Sequence, residues 1–148
     1  VAAAEGLEEK LPGVSINAEI SRPAEEGVKI VQAAAEDGTL RSYVVVALAT
    51  NAPVEQEHLD QILEAIGENR RLVLVTGFGP ARTHWVQPAN ELIHEFADSH
   101  KDQVRVADWN TAIGERPELL AGDYVHPLPE GADIFADIVV ESLNSFTD

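Results

Sequence analysis

The stretch YVVVALATNAP, residues 43–53, decides how this chain folds. Tyr43 to Leu48 is a continuous run of β-branched and apolar side chains, without polar alternation. Such a run is expected of a strand buried on both faces of a sheet. Ala49 to Pro53 ends it in a polar turn, and the period then changes. Leu59, Ile62, Leu63 and Ile66 follow at i, i+3, i+4 and i+7, a helical stripe over 54–66 stopped by Gly67. A buried strand leading into an amphipathic helix is half of a parallel βαβ unit.

The same alternation extends outward in both directions. Leu72 to Thr76 reads as the next buried strand, followed by a long loop from Gly77 to Pro88. A helix over Ala89–Ser99 buries Leu92, Ile93 and Phe96, and Val104 to Ala107 is the last strand, running into Asp108-Trp109. Asn110 to Ala121 reads as irregular, with Trp109 in the core. Pro129 suits the first turn of a final helix with Ile134, Phe135, Ile138, Val139 and Leu143 as its apolar stripe. Upstream, Ala24 to Asp37 reads as a helix closed by Gly38, and Ala2 to Leu11 as another stopped by Pro12-Gly13. Between them Val14 to Ile20 alternates apolar and polar residues, as a half-buried strand near a sheet edge does. The expected fold is α/β, a parallel sheet between helical layers, in one domain over 1–148.

Composition excludes several functions. With 10 Lys+Arg against 26 Asp+Glu, the net charge is −16. That balance opposes sequence-independent nucleic-acid binding and adhesion to anionic lipid. The chain has no cysteine, so disulfides, thiol catalysis and cysteine metal sites are out. His58, His94 and His100 fall on helices or their ends without metal-ligand spacing and read as surface residues, so no metal is expected. No glycine-rich phosphate loop is present, and no cofactor is expected. Neither a membrane-length apolar run nor a signal peptide is visible.

In an open parallel sheet the site lies at the carboxyl ends of the strands. Those ends are Ser21-Arg22-Pro23, Ala49 to Pro53, Gly77 to Pro88 and Asn110 to Pro127. They hold Ser21, Arg22, Asn51, His84, Trp85, Asp123 and His126. Gly122-Asp123-Tyr124-Val125-His126-Pro127 places an acid three residues before a histidine, a spacing that lets a carboxylate meet the imidazole Nδ1–H. Alone, D-x-x-H is common by chance and reads equally as a surface turn. An aromatic such as Trp85 beside His84 serves equally as a sugar-stacking surface or as an apolar plug for its loop. Asn90 is expected to fix the loop that it closes.

Taken together, these blocks resemble the SGNH (GDSL-like) hydrolase superfamily, and more narrowly the extracytoplasmic domain of bacterial O-acyltransferases of the peptidoglycan O-acetyltransferase type. Val44 to Pro53 is similar to the family's buried strand followed by Gly-Thr-Asn-Gly. Val106 to Trp109 is similar to its strand ending in Asp-Trp, and Gly122 to Pro127 to its D-G-[VI]-H-P block. Ser21-Arg22 resembles its [SG]-R-Q, and Pro80 to Asn90 its Pro-Arg…Trp…Asn loop.

The resemblance implies sheet order 2-1-3-4-5 and a role for each matching residue. His126 would be the acid/base and Asp123 its orienting partner. Asn51 and the backbone N–H of Ser21 would line the oxyanion hole, and Arg22, His84 and Trp85 would contact substrate. The implied reaction is serine-dependent O-acyl, most simply O-acetyl, transfer to an envelope glycan or glycolipid through an acyl-enzyme. A carbohydrate esterase, or a non-catalytic module binding glycan or a partner, is the alternative. The implied partners are an acyl donor, the acceptor and a fused membrane acyltransferase domain that tethers an extracytoplasmic, monomeric domain.

Three departures stand out: Ala49 for the family's Gly, Pro23 for its Gln, and no Gly-Asp-Ser block. Matching Leu7 to Pro12 with the family's first-helix ending puts the nucleophilic Ser, and the central strand before it, upstream of Val1. The domain is therefore expected to be N-terminally incomplete, and inactive as it stands.

Overall fold

In the computed structural model the described residues are 2–19 and 22–147; Val1, Ile20, Ser21 and Asp148 lie outside them. Three strands form one parallel sheet in the order β1-β2-β3: β1 (Tyr43–Val46), β2 (Arg71–Val75) and β3 (Val104–Ala107). Val44 is in register with Leu72, and Leu72 with Val104. The helices are α1 (Ala4–Lys10), α2 (Ala24–Asp37), α3 (Gln56–Ile66), α4 (Val86–Ser99), α5 (Trp109–Gly114) and α6 (Pro129–Asn144).

The pleat sorts the strand residues into two cores. Val44, Leu72, Leu74 and Val104 point toward α2, α3 and α4, where they meet Val28, Leu59, Ile62, Ile93 and Phe96. Val73, Val75 and Ala107 point the other way, toward α5 and α6, and meet Trp109, Ile113 and Val139. The result is three layers, with β2 buried on both faces. Each fully buried Leu, Ile or Val contributes roughly 1.5–3 kcal/mol. Glycine ends α2 and α3 as expected: Gly38 and Gly67 have φ of 77° and 74°.

Several expectations change. Val14 to Glu19 forms no strand, because it joins no ladder among the described residues; Ile20 falls outside them. Arg22 holds this segment instead, donating to the Asn17 carbonyl at 3.0 Å and to Asn17 Oδ1 at 2.7 Å. β1 is buried on one face only: Val44 is buried, whereas Tyr43 and Val45 are 48% and 39% exposed. An apolar run reports a strand's capacity for burial, and here the second face is only partly covered, with the Phe146 ring 6.1 Å from that of Tyr43.

Residues 110–121 are more regular than expected. They contain most of α5 and a 3₁₀ turn, Pro117–Leu119. Asp108 caps α5 by accepting from the Thr111 N–H at 3.2 Å and from Thr111 Oγ1 at 2.8 Å. Helix α4 begins at Val86, and Pro88 lies in its first turn, where no amide is needed. His100 is half-buried, stacked on Phe96 at 4.3 Å and bonded through Nδ1 to the Phe96 carbonyl, so it is no plain surface residue.

Candidate active site

The loop 121–127 leaves the second core and returns to it within a few residues. Leu119 and Leu120 are buried at its base, and Leu120 bridges Pro127. The Ala121 N–H donates to the His126 carbonyl at 2.8 Å, and the Leu128 N–H to the Leu119 carbonyl at 2.8 Å. Gly131, in the first turn of α6, lets the helix close on this base. A Cβ there would lie 2.7 Å from the Leu119 oxygen.

Within this clamp Asp123 uses both carboxylate oxygens. Oδ1 accepts from the Val125 and His126 N–H groups at 2.9 and 3.1 Å, and Oδ2 lies 2.6 Å from His126 Nδ1. With a carboxylate as acceptor, Nδ1 carries the proton and Nε2 keeps its lone pair. The imidazole hydrogen bond, followed by the two backbone N–H groups, holds the Asp123 carboxyl well below the usual carboxylate range. Both side chains are open to solvent, His126 at 56% and Asp123 at 41%. This geometry can orient an imidazole so that Nε2 removes a proton from a hydroxyl and later returns it.

Tyr124, between them, has φ +57°, the sole positive φ of a described non-glycine residue. This left-handed conformation costs a Cβ-bearing residue about 1–2 kcal/mol. The D-x-x-H spacing alone gave no sign of it.

The other strand-end loops are tied together. Asn90 Oδ1 accepts from the Gly77 N–H at 2.7 Å, and its Nδ2 donates to the Gly77 carbonyl at 2.8 Å. A Cβ on Gly77 would meet Ala49 C and Thr50 N at 2.8 Å, so the loop carrying Asn51 lies directly on Gly77. Thr50 Oγ1 accepts from the Phe78 N–H at 3.2 Å. The Phe78 ring then packs near Gly114 of α5. Asn51 is exposed, and its own N–H donates to the Leu48 carbonyl at 3.2 Å. Ala49 is buried with no positive φ, so the Gly-to-Ala departure strains nothing. Pro23 serves as the N-cap of α2, with its carbonyl taken by the Gly27 N–H.

The remaining candidates are dispersed. Ser21 lies outside the described residues. Arg22 is buried and turned back on Asn17 and Glu19, with Nε lacking a described partner. His84 is exposed and packs edge-on to Trp85 at 5.6 Å, while the Trp85 indole N–H is buried without an acceptor among the described residues. Trp109 is core, edge-on to Phe135 at 5.2 Å. His94 Nε2 lies 3.7 Å from Asp108 Oδ2, a pairing its helical position did not reveal. Burial pushes the Asp108 carboxyl up, but hydrogen bonds from Thr111 and Thr76, with His94 nearby, bring it below the usual value. A cleft of about 420 Å³ between α4 and β3 includes His94, Lys101 and Arg105 but no residue of the Asp123–His126 loop. Among the described residues no three His, Cys, Asp or Glu side chains cluster as metal ligands would.

No family model matches the chain. It is 26% identical over 137 residues to the O-acetyltransferase OatA of Staphylococcus aureus, covering 92% of this chain and 22% of that protein. It is 23% identical over 139 residues to the Bacillus subtilis protein YrhL, covering 94% of this chain and 21% of that one. The chain thus spans about a fifth of the length of the curated relatives it matches. Among solved structures, the C-terminal catalytic domain of Streptococcus pneumoniae peptidoglycan O-acetyltransferase A superposes with a TM-score of 0.89. It is 27% identical, covers 99% of this chain and 88% of its own, and carries a methylsulfonyl adduct. A G-D-S-L family lipolytic protein from Veillonella parvula shares the fold at a TM-score of 0.71 and 14% identity, over 96% of this chain and 87% of its own. In fold the chain is of the SGNH type, and in sequence and structure together it is similar to the catalytic domain of peptidoglycan O-acetyltransferases.

Proposed function

We propose that this domain transfers an O-acyl group, most simply acetyl, to a hydroxyl of a cell-envelope glycan through an acyl-serine. The observation that carries this reading is the 2.6 Å contact between Asp123 Oδ2 and His126 Nδ1, with the other carboxylate oxygen fixed by two backbone amides. An orienting acid held this way leaves Nε2 in one tautomer and one direction, which a general base needs. The acceptor class comes from the relatives, named for O-acetyl transfer to peptidoglycan.

In this reading the nucleophile is a serine in a segment preceding Val1. Its Oγ attacks the donor's carbonyl carbon while His126 Nε2 takes the hydroxyl proton. The Asn51 amide, the Ser21 N–H and the serine's own N–H stabilise the oxyanion. Collapse releases the donor alcohol, which recovers the proton from His126. The acceptor hydroxyl then gives its proton to Nε2 and attacks the acyl-serine; collapse breaks the bond to the serine Oγ, which takes the proton back from His126, and the acceptor leaves as the ester. Arg22 contributes by holding the preceding segment through Asn17 and Glu19. His84 and Trp85 border the acceptor side. The solvent exposure of His126 favours water as a competing acceptor, so esterase activity accompanies transfer. In the parent protein the domain works outside the cytoplasm, joined to a membrane acyltransferase domain that supplies the acyl group; none of the described helices is itself long and apolar enough to cross a membrane.

The test is hydrolysis of an aryl acetate by a longer chain that includes the preceding Gly-Asp-Ser. His126→Ala should lower turnover at least about a thousand-fold. A longer chain without activity, or a His126→Ala variant that keeps it, overturns the reading.

A further inference from the structure

We infer that Tyr124 is a stacking platform for a pyranose ring of the acceptor glycan. This assignment rests on the acyl-transfer reading above and adds a specificity-determining contact to it. Tyr124 lies between the two members of the acid–base pair, at φ +57° and 54% exposed. The family block has glycine at this position, the residue that adopts such a conformation without steric cost. Retaining a tyrosine here places a large ring in solvent against a conformational penalty.

The fold gains nothing visible in return. Among the described residues the ring pairs with no other aromatic, and only the backbone N–H is engaged, with the Ala121 carbonyl at 2.9 Å. Trp85 is less suited to the same task, since its indole N–H is buried. Leu128, 42% exposed, follows His126 by two residues and is a second exposed large apolar side chain close in sequence to the base. A pyranose offers an apolar C–H face and a ring of hydroxyls. A tyrosine takes such a face at low entropic cost, having few rotatable bonds. Because the same loop carries the base, a sugar seated on Tyr124 would have its hydroxyl placed relative to His126 by a few backbone hydrogen bonds.

The experiment is a calorimetric titration of a soluble β-1,4-linked N-acetylglucosamine pentamer into wild type, Tyr124→Phe and Tyr124→Gly. We expect saturable binding by wild type, a Kd within about twofold for Tyr124→Phe, and binding at least about tenfold weaker for Tyr124→Gly. The melting temperature of Tyr124→Gly should equal or exceed that of wild type, since glycine removes the left-handed penalty. Equal affinities for Tyr124→Gly and wild type, or no binding by wild type at millimolar pentamer, overturn the inference. Binding needs no nucleophile, so the two proposals fail separately. Tyr124-dependent binding by a chain that hydrolyses no aryl acetate would sink acyl transfer alone. Hydrolysis with Tyr124-independent binding would sink the platform alone.

Discussion

Asp123 orients His126 through one oxygen and braces its own loop through the other, and Asp123→Asn separates the two tasks. The amide oxygen can still accept from Val125 and His126, so the loop keeps its shape. What is lost is the anion that fixes the imidazole tautomer and offsets the imidazolium formed in the reaction. In serine triads that change typically costs about 10⁴-fold in turnover, and we expect a loss of this order in the nucleophile-bearing chain. Acid titration checks the same contact without catalysis. The folded carboxyl titrates below its unfolded value of about 3.9. Its stabilising contribution is therefore complete above that pH and is lost as pH falls through the folded pKa. The melting-temperature gap between wild type and Asp123→Asn should shrink as pH falls below about pH 4. A gap that stays constant to pH 2 would mean that the contact is not made in solution.

At the level of elements, the site depends on how the β1 and β2 loops are held. Asn90→Ala strips two hydrogen bonds from Gly77, leaving a buried N–H and carbonyl without partners. Unsatisfied buried groups cost about 1–3 kcal/mol each, so a drop of that size or more in denaturant stability is expected. Gly77→Ala acts on the other side, driving a Cβ into the backbone at Ala49 and Thr50 and displacing Asn51. It should lose activity beyond what its stability loss explains. Unaltered activity would remove the Asn51 loop from the mechanism. Much of this level was legible beforehand. The helical stripes located α3 and α6, the stop at Gly38 located the end of α2, and the strand runs located β2 and β3. Helix α5 was missed because six residues are too short for a periodic signal; its mark was the Asp108-x-x-Thr111 cap. The Asp123–His126 pair was legible as a spacing. The φ of Tyr124 was not, since left-handed backbone is usually marked by glycine and here the residue is a tyrosine.

Among the described residues the sheet has an open edge at each end, β1 and β3, and the β1 edge is the one beside the Asn51 loop. The Arg71 N–H donates to the Ser42 carbonyl, so the alternation of a parallel ladder turns the amides of Tyr43 and Val45 away from β2. Their side chains are also among the most exposed large apolar groups, and no described residue pairs with that edge. Open strand edges recruit further strands. The segment 14–19, anchored through Arg22, is likewise without a ladder. A parallel strand inserted along β1 would pair with that edge, cover Val45, and deliver its carboxyl end to the same rim as the Asn51 loop. Under the proposal that the serine precedes Val1, that inserted strand is the one leading to it. Hydrogen exchange reads this directly. In the 148-residue chain the Val45 amide should exchange freely, while in a longer chain beginning before the Gly-Asp-Ser it should be slowed at least about a hundred-fold. Equal exchange at Val45 in both chains would mean that the preceding segment does not enter the sheet, and the serine would then have no fixed route to His126.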